Sequence, residues 1–130
     1  MKNNSFKQIK QISIDIKKSY DEINYKDGHK KWQVSDYTMG MIGDCGDLCK
    51  LIMAKNNLRI SKSNDLDKDI EHELVDILWS LIAIADELNI DLEKVSITHL
   101  NILKARVEQV KIKSQPKNPQ TFLDSETSSE

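Results

Sequence analysis

Residues 69–88, DIEHELVDILWSLIAIADEL, decide the fold class of this chain. Apolar side chains recur there at three- and four-residue steps, which predicts a helix that is apolar over most of its circumference. In a chain of 130 residues, such a helix is expected to be buried on more than one side and to contact a second subunit. The apolar residues are Ile70, Leu74, Ile77, Leu78, Leu81, Ile82, Ile84, Ala85 and Leu88.

Three further helices are predicted, at about residues 5–23, 36–54 and 91–112, with Ser35 and Asp91 as N-caps of the last two. Asp27-Gly28 indicates a turn between the first two helices, and a polar loop is expected at residues 55–68. We therefore expect an all-α antiparallel four-helix bundle over residues 1–113 and a flexible polar tail over residues 114–130. The apolar positions of the first helix are Phe6, Ile9, Ile12, Ile16 and Tyr20, and those of the second are Met41, Ile42, Cys45, Leu48, Leu51 and Ile52.

Composition excludes several classes of protein. A net charge of −2 argues against a general nucleic-acid binder, because such proteins carry a positive surface. No apolar run is long enough to cross a membrane and residues 1–10 do not resemble a leader, so a cytoplasmic location without membrane contact is expected. Cys45 and Cys49 stand four residues apart, where a disulfide is awkward, and are expected to be small buried residues in a reducing compartment.

Two pairs of acids carry the functional signal: Asp44 with Asp47, and Glu73 with Asp76. Each pair is spaced three residues apart, which places both carboxylates on one helix face. Antiparallel packing of the second and third helices would bring the pairs together around a hard cation such as Mg²⁺ or Mn²⁺. Hydrolysis of a phosphoanhydride is the reaction that such a centre suggests. The alternative from spacing alone is two solvated helix faces.

These residues belong to a longer pattern, GDCGDL at residues 43–48, EHELVDILW at 71–79 and ADELNIDLE at 85–93. The pattern resembles that of MazG-like nucleotide pyrophosphohydrolases, of the all-α NTP pyrophosphatase superfamily, over roughly residues 32–106. Glu73 and Asp76 match the second metal-binding pair of that family directly. Asp44 and Asp47 stand where the family usually has two glutamates, whose side chains are one methylene longer.

The resemblance implies a MazG-like bundle completed by dimerisation, as a homodimer or a dimer of dimers. It also implies a Mg²⁺-dependent enzyme that cleaves (d)NTP to (d)NMP and pyrophosphate, with all four acids as metal ligands and catalytic residues. Lys104 and Arg106 correspond to basic residues that bind phosphates in the family. Trp32 and Tyr37 lie beside the first acid pair, where their rings could stack on a base.

Two other functions remain open. A non-catalytic MazG-like module with a degenerate metal site could bind a nucleotide or a protein partner, and the aspartates at positions 44 and 47 favour this alternative. A phosphoribosyl-ATP pyrophosphohydrolase would share the fold and the acids. A ferritin-like di-iron site is excluded, since the chain has no Glu-x-x-His pair, and no serine lies in a Gly-x-Ser-x-Gly turn.

Overall fold

The computed structural model describes residues 5–114, and within that range the chain is helical with no strand. The helices are α1 (Ser5–Lys26), α2 (Val34–Lys55), α3 (Leu66–Glu87) and α4 (Leu92–Ser114). The prediction of an all-α chain with four helices is confirmed. Within the described residues the chain divides into two compact units, one with α1 to α3 and ending at Leu92, the other with α4 from Glu93 onward. Apart from Ser114, the predicted tail lies outside the described residues.

The helices α1, α2 and α3 end in the same way, with one residue in the left-handed conformation just after the helix. Gly28, Asn57 and Asn89 have φ angles of 73°, 59° and 54°. Glycine and asparagine tolerate this conformation best, and it lets the next amide close the helix end. The closing bonds run from His29 N–H to the Asn24 oxygen, from Leu58 to Met53 and from Ile90 to Ala85, each at 2.8 Å.

The helix starts differ from the predicted ones. The predicted N-cap Ser35 is wrong, because α2 already begins at Val34 and the Gln33 N–H donates to the Asp36 carboxylate at 2.8 Å. The third helix begins three residues earlier than predicted, since the Asp65 carboxylate accepts from the Lys68 N–H at 3.2 Å. Both starts are therefore fixed by side-chain carboxylates that bond to backbone amides.

The helices α2 and α3 pack antiparallel, with Lys55 near the end of α2 paired with Asp67 near the start of α3. Only one side of α2 is covered: Ala54 is buried, while Met41, Leu48 and Leu51 are half-buried. The inward packing predicted for Ile42, Cys45 and Ile52 is wrong, because these residues lie on the uncovered side. The predicted burial of Cys45 and Cys49 is likewise wrong, since both thiols are free and exposed.

The helix α1 runs parallel to α3 and docks on it through polar groups. Its buried residues are Ser13, Lys17 and Asn24. The Trp79 Nε1 donates to the Ser13 main-chain oxygen at 3.1 Å, and the Lys17 ammonium lies 2.5 Å from Glu87 Oε1. The isoleucines of the predicted apolar stripe are not buried by this contact: Ile9, Ile12 and Ile16 remain 41–52% exposed. Tyr20, 40% exposed, contributes through its ring, whose centroid lies 5.9 Å from that of Trp79.

Exposed apolar groups are also found on the other helices. On α3, Ile82, Ala83 and Ala85 are buried, whereas Leu74, Val75 and Leu81 are exposed on the remaining sides. No residue of α4 is buried. None of the helices within residues 5–114 combines the length and apolar character needed to cross a bilayer.

Candidate metal centre and adjoining cavities

The facing surfaces of α2 and α3 bring carboxylates together. Asp44, Asp47 and Glu73 each offer an oxygen, and these three atoms lie within 4.8 Å of one another. Asp76, one turn after Glu73, is not part of this triad, and its Oδ2 lies 3.2 Å from the His72 Nε2. The structure therefore gathers three of the four predicted acids tightly and places the fourth beside them.

The gathered carboxylates shift one another's pKa values. Partial burial raises the pKa of Asp44, and the negative charges of Asp76 and Asp47 raise it further. Burial likewise raises the pKa of Glu73, followed by the charges of Asp44, Asp47 and Asp76. Glu73 Oε2 is also buried without a hydrogen-bond partner among the described residues. Both effects are expected where acids share a site that a cation would neutralise.

The donor set fits a hard divalent cation. The three triad ligands are all carboxylate oxygens. Mg²⁺ and Mn²⁺ prefer such ligands, whereas Zn²⁺ favours nitrogen and sulfur. Each aspartate is one methylene shorter than a glutamate, but the three oxygens still lie close enough together to hold one ion.

A cavity of about 750 Å³ opens beside the acids, between α1 and α2, with α3 as its floor. Asp44 and Asp76 line one part of it, and four aromatic rings line another: Tyr20, Trp32, Tyr37 and Trp79. The exposed isoleucines of α1, at positions 9, 12 and 16, form the remaining wall. The stripe that the sequence predicts to be core is therefore the wall of an open cavity.

The four rings form one cluster. The Trp32 ring lies 5.0 Å from the Tyr20 ring and 5.9 Å from the Tyr37 ring, and the Tyr37 ring lies 5.7 Å from the Trp79 ring, measured between centroids. The Tyr37–Trp32 and Tyr37–Trp79 pairs meet edge to face, an arrangement that aromatic side chains favour. Trp32 and Tyr37, predicted beside the first acid pair, thus share a cavity with Asp44.

A smaller cavity of about 290 Å³ adjoins the other half of the acid cluster. It is lined by Asp47 and Glu73 together with Lys50, Leu51, Asp69 and His72. The Lys50 ammonium is 3.9 Å from the Asp47 Oδ1, and more than half of the lysine side chain is exposed. The acid cluster therefore divides its carboxylates between two cavities.

Lys104 and Arg106, predicted to bind phosphates, are exposed residues of α4 in the second compact unit. Tyr20 and the three isoleucines were not predicted as cavity residues, because their helical spacing is also that of a core stripe. Lys50 was not predicted either, although its position one turn after Asp47 is visible in the sequence.

Comparison with known proteins finds a similar sequence in one phage protein. The chain is 28% identical over 80 residues to the Gene 37 protein of Mycobacterium phage L5, an alignment that covers 58% of this chain and 68% of the phage protein. No protein-family model matches the chain. No solved structure matches it either.

Proposed function

We propose that this chain is a MazG-like nucleoside triphosphate pyrophosphohydrolase, acting in the cytoplasm, which hydrolyses (d)NTP to (d)NMP and pyrophosphate. The observation that carries the proposal is the larger cavity, which is lined by both Asp44 and Asp76 and by the rings of Trp32 and Tyr37. Acids that suit a divalent cation and rings that suit a base are the two features that a nucleotide site requires.

Each part of the cavity has a defined role in this proposal. The Trp32 ring, half-buried and in contact with two tyrosines, provides a face for the base. Tyr37 is almost fully buried and supports Trp32 from the edge. The apolar wall of α1 covers the nucleoside and excludes water from that side. The sugar then lies between the rings and the acids, and the phosphates lie at Asp44 and Asp76.

Asp44, Asp47 and Glu73, with Asp76 beside them, are the residues that would hold Mg²⁺ or Mn²⁺. The cation would supply positive charge for the triphosphate and lower the pKa of a bound water. Burial and the neighbouring negative charges raise the pKa values of Asp44 and Glu73, and a bound cation would offset the repulsion between these carboxylates.

A homodimer, or a dimer of dimers, is part of the proposal. Within residues 5–114 no large side chain is fully buried, while Met39, Ile42, Leu74 and Leu81 are exposed on α2 and α3. Association of two copies would remove such surface from water, at about 25 cal/mol per Å² of apolar area. Light scattering of the purified chain tests this part, and a monomer at all concentrations would contradict it.

The activity is tested by incubating the full chain with Mg²⁺ or Mn²⁺ and a panel of NTPs and dNTPs. We expect pyrophosphate and the monophosphate in equal amounts. Release of orthophosphate instead would indicate another reaction. If no nucleotide is cleaved and neither metal raises the melting temperature, the enzyme hypothesis is wrong and the non-catalytic module is the better explanation.

A further inference from the structure

We propose that the smaller cavity, lined by Lys50 and His72 on the other half of the acid cluster, binds the β- and γ-phosphates of the substrate and then the pyrophosphate product. This inference rests on the proposed function and extends it to a defined subsite. Lys50 is its principal phosphate ligand.

The two cavities adjoin the same acid cluster. Asp44 and Asp76 line the larger cavity, while Asp47 and Glu73 line the smaller one. Since oxygens of Asp44, Asp47 and Glu73 lie within 4.8 Å of one another, both cavities meet at the same carboxylates. A nucleotide whose base lies on Trp32 has its α-phosphate at the acids, and the chain of phosphates continues toward Lys50.

The linings of the two cavities differ in chemistry. The aromatic cluster belongs to the larger cavity, whereas the smaller one has a lysine and a histidine among its six lining residues. An ammonium group binds phosphate strongly as a compact positive charge. The acids of this lining make binding of free pyrophosphate unfavourable, so the ligand is the pyrophosphate anion together with the divalent cation.

Lys50 forms only a weak ion pair. Its ammonium lies 3.9 Å from Asp47, at the outer limit of an ion pair, and its side chain is 57% exposed. Exposed pairs of this kind contribute little to stability. A cation bound at Asp47 would displace the ammonium by repulsion, and the four-carbon side chain lets it turn toward the entering phosphate.

The experiment is calorimetric titration of the full chain with inorganic pyrophosphate in excess Mg²⁺, compared for wild type, Lys50→Ala, Lys50→Arg and Lys18→Ala. We expect at least tenfold weaker binding for Lys50→Ala, partial recovery for Lys50→Arg and no change for Lys18→Ala. Lys18 is an exposed lysine of α1 outside the linings of both cavities, so its loss controls for net charge.

Two further titrations make the result specific. Binding of a nucleoside monophosphate by Lys50→Ala should stay within twofold of wild type, because the monophosphate occupies the larger cavity. Mn²⁺ alone should bind Lys50→Ala as tightly as wild type or tighter, since the lysine competes with the cation for Asp47. Unchanged pyrophosphate affinity in Lys50→Ala, or an equal loss of monophosphate affinity, would overturn the subsite.

Turnover separates this inference from the proposed function. If the wild type releases pyrophosphate from nucleotides and Lys50→Ala has the same KM and the same pyrophosphate affinity, only the subsite is wrong. If the wild type cleaves no nucleotide and does not bind pyrophosphate in Mg²⁺, both proposals are overturned. An increased KM for the triphosphate with a weaker pyrophosphate affinity supports both.

Discussion

The indole Nε1 of Trp79 lies 3.1 Å from the main-chain oxygen of Ser13, a hydrogen bond that ties α3 to α1 across 66 residues of sequence. The same tryptophan contacts the rings of Tyr20 and Tyr37, with centroids 5.9 Å and 5.7 Å away. Trp79 therefore fixes the position of α1 and one wall of the larger cavity together.

Replacing Trp79 by Phe should lower the free energy of unfolding by about 1–2 kcal/mol, because it removes this hydrogen bond and leaves a smaller ring. Urea denaturation followed by circular dichroism measures the change. Trp32→Phe is the matched control, since Trp32 lies in the loop between α1 and α2 and its replacement should cost less. Equal losses in the two variants would mean that the Trp79–Ser13 bond contributes nothing.

Replacing Lys17 by Met should lower the free energy of unfolding by about 3 kcal/mol. The side chain is 9% exposed, and its ammonium is 2.5 Å from Glu87 and 3.2 Å from Asp86. The variant removes the buried cation that the two acids share and leaves Glu87 only the more exposed Lys31, 3.8 Å away. Burial lowers the pKa of Lys17, but the bonds to Glu87 and Asp86 outweigh this and raise it overall. Lys18→Met is the exposed control and should stay within about 0.5 kcal/mol of wild type. A loss no larger than that control would refute the role of the buried pair.

Asp44→Asn should stabilise the metal-free protein at neutral pH, and the gain should vanish as the pH falls. The folded protein raises the pKa of Asp44 above its ordinary value of 3.8, so ionisation of Asp44 destabilises the fold. This destabilisation is complete at pH values above the raised pKa of Asp44. It decreases as the pH falls through that pKa and is absent below pH 3.8. The gap between the melting temperatures of Asp44→Asn and the wild type, measured with a chelator present from pH 7 to pH 3.5, tests this expectation. A gap that widens toward low pH would contradict the assigned shift.

Glu73→Ala should abolish metal binding and pyrophosphate release, and Asp76→Ala, which spares the carboxylate triad, should weaken both; the helical content should stay unchanged in each variant. Glu73 belongs to the carboxylate triad and its Oε2 lacks a partner, so its removal takes away a ligand without breaking a hydrogen bond. Mn²⁺ titration and far-ultraviolet circular dichroism provide the two measurements. Glu71→Ala, an exposed residue on the same helix, is the control. Full turnover in both site variants would place the active site elsewhere.

Trp32→Ala should raise the KM for nucleoside triphosphates by about 5- to 150-fold, the range expected when one base loses about 1–3 kcal/mol of stacking. Inorganic tripolyphosphate has no base, so its inhibition constant should not change. The comparison of the two ligands distinguishes lost stacking from a damaged fold. If tripolyphosphate inhibition weakens as much as nucleotide binding, Trp32 does not contact the base.

Glu73→Gln tests whether negative charge, rather than side-chain shape, is what the site requires. We expect Mn²⁺ affinity to fall at least tenfold and metal-free stability to rise, because the buried Oε2 loses its charge. The two effects have opposite signs, which a general loss of structure cannot produce. Thermal melts with and without Mn²⁺ measure both, and a variant less stable than wild type without metal would contradict the explanation.

Helical periodicity predicted the number, type and order of the helices, because amphipathic spacing and helix-ending residues are local signals. The Asp27-Gly28 turn and the break at Asn89 were visible for the same reason. The orientation of the apolar residues could not be predicted from the sequence, since Ile12 and Ile42 have the spacing of core residues and are exposed. Which side of an apolar helix is covered depends on which other helix packs there.

A helical chain with two acid pairs, each on one helix face, follows from local sequence, because the three-residue spacing and the helix period are properties of the local backbone. The convergence of Asp44, Asp47 and Glu73, with Asp76 beside His72, arises only when α2 and α3 pack together. The docking of α1 through Ser13 and Lys17, which leaves its isoleucines on a cavity, likewise arises only from tertiary packing. These outcomes follow from contacts between residues far apart in the chain, and spacing along one helix carries no information about its partner.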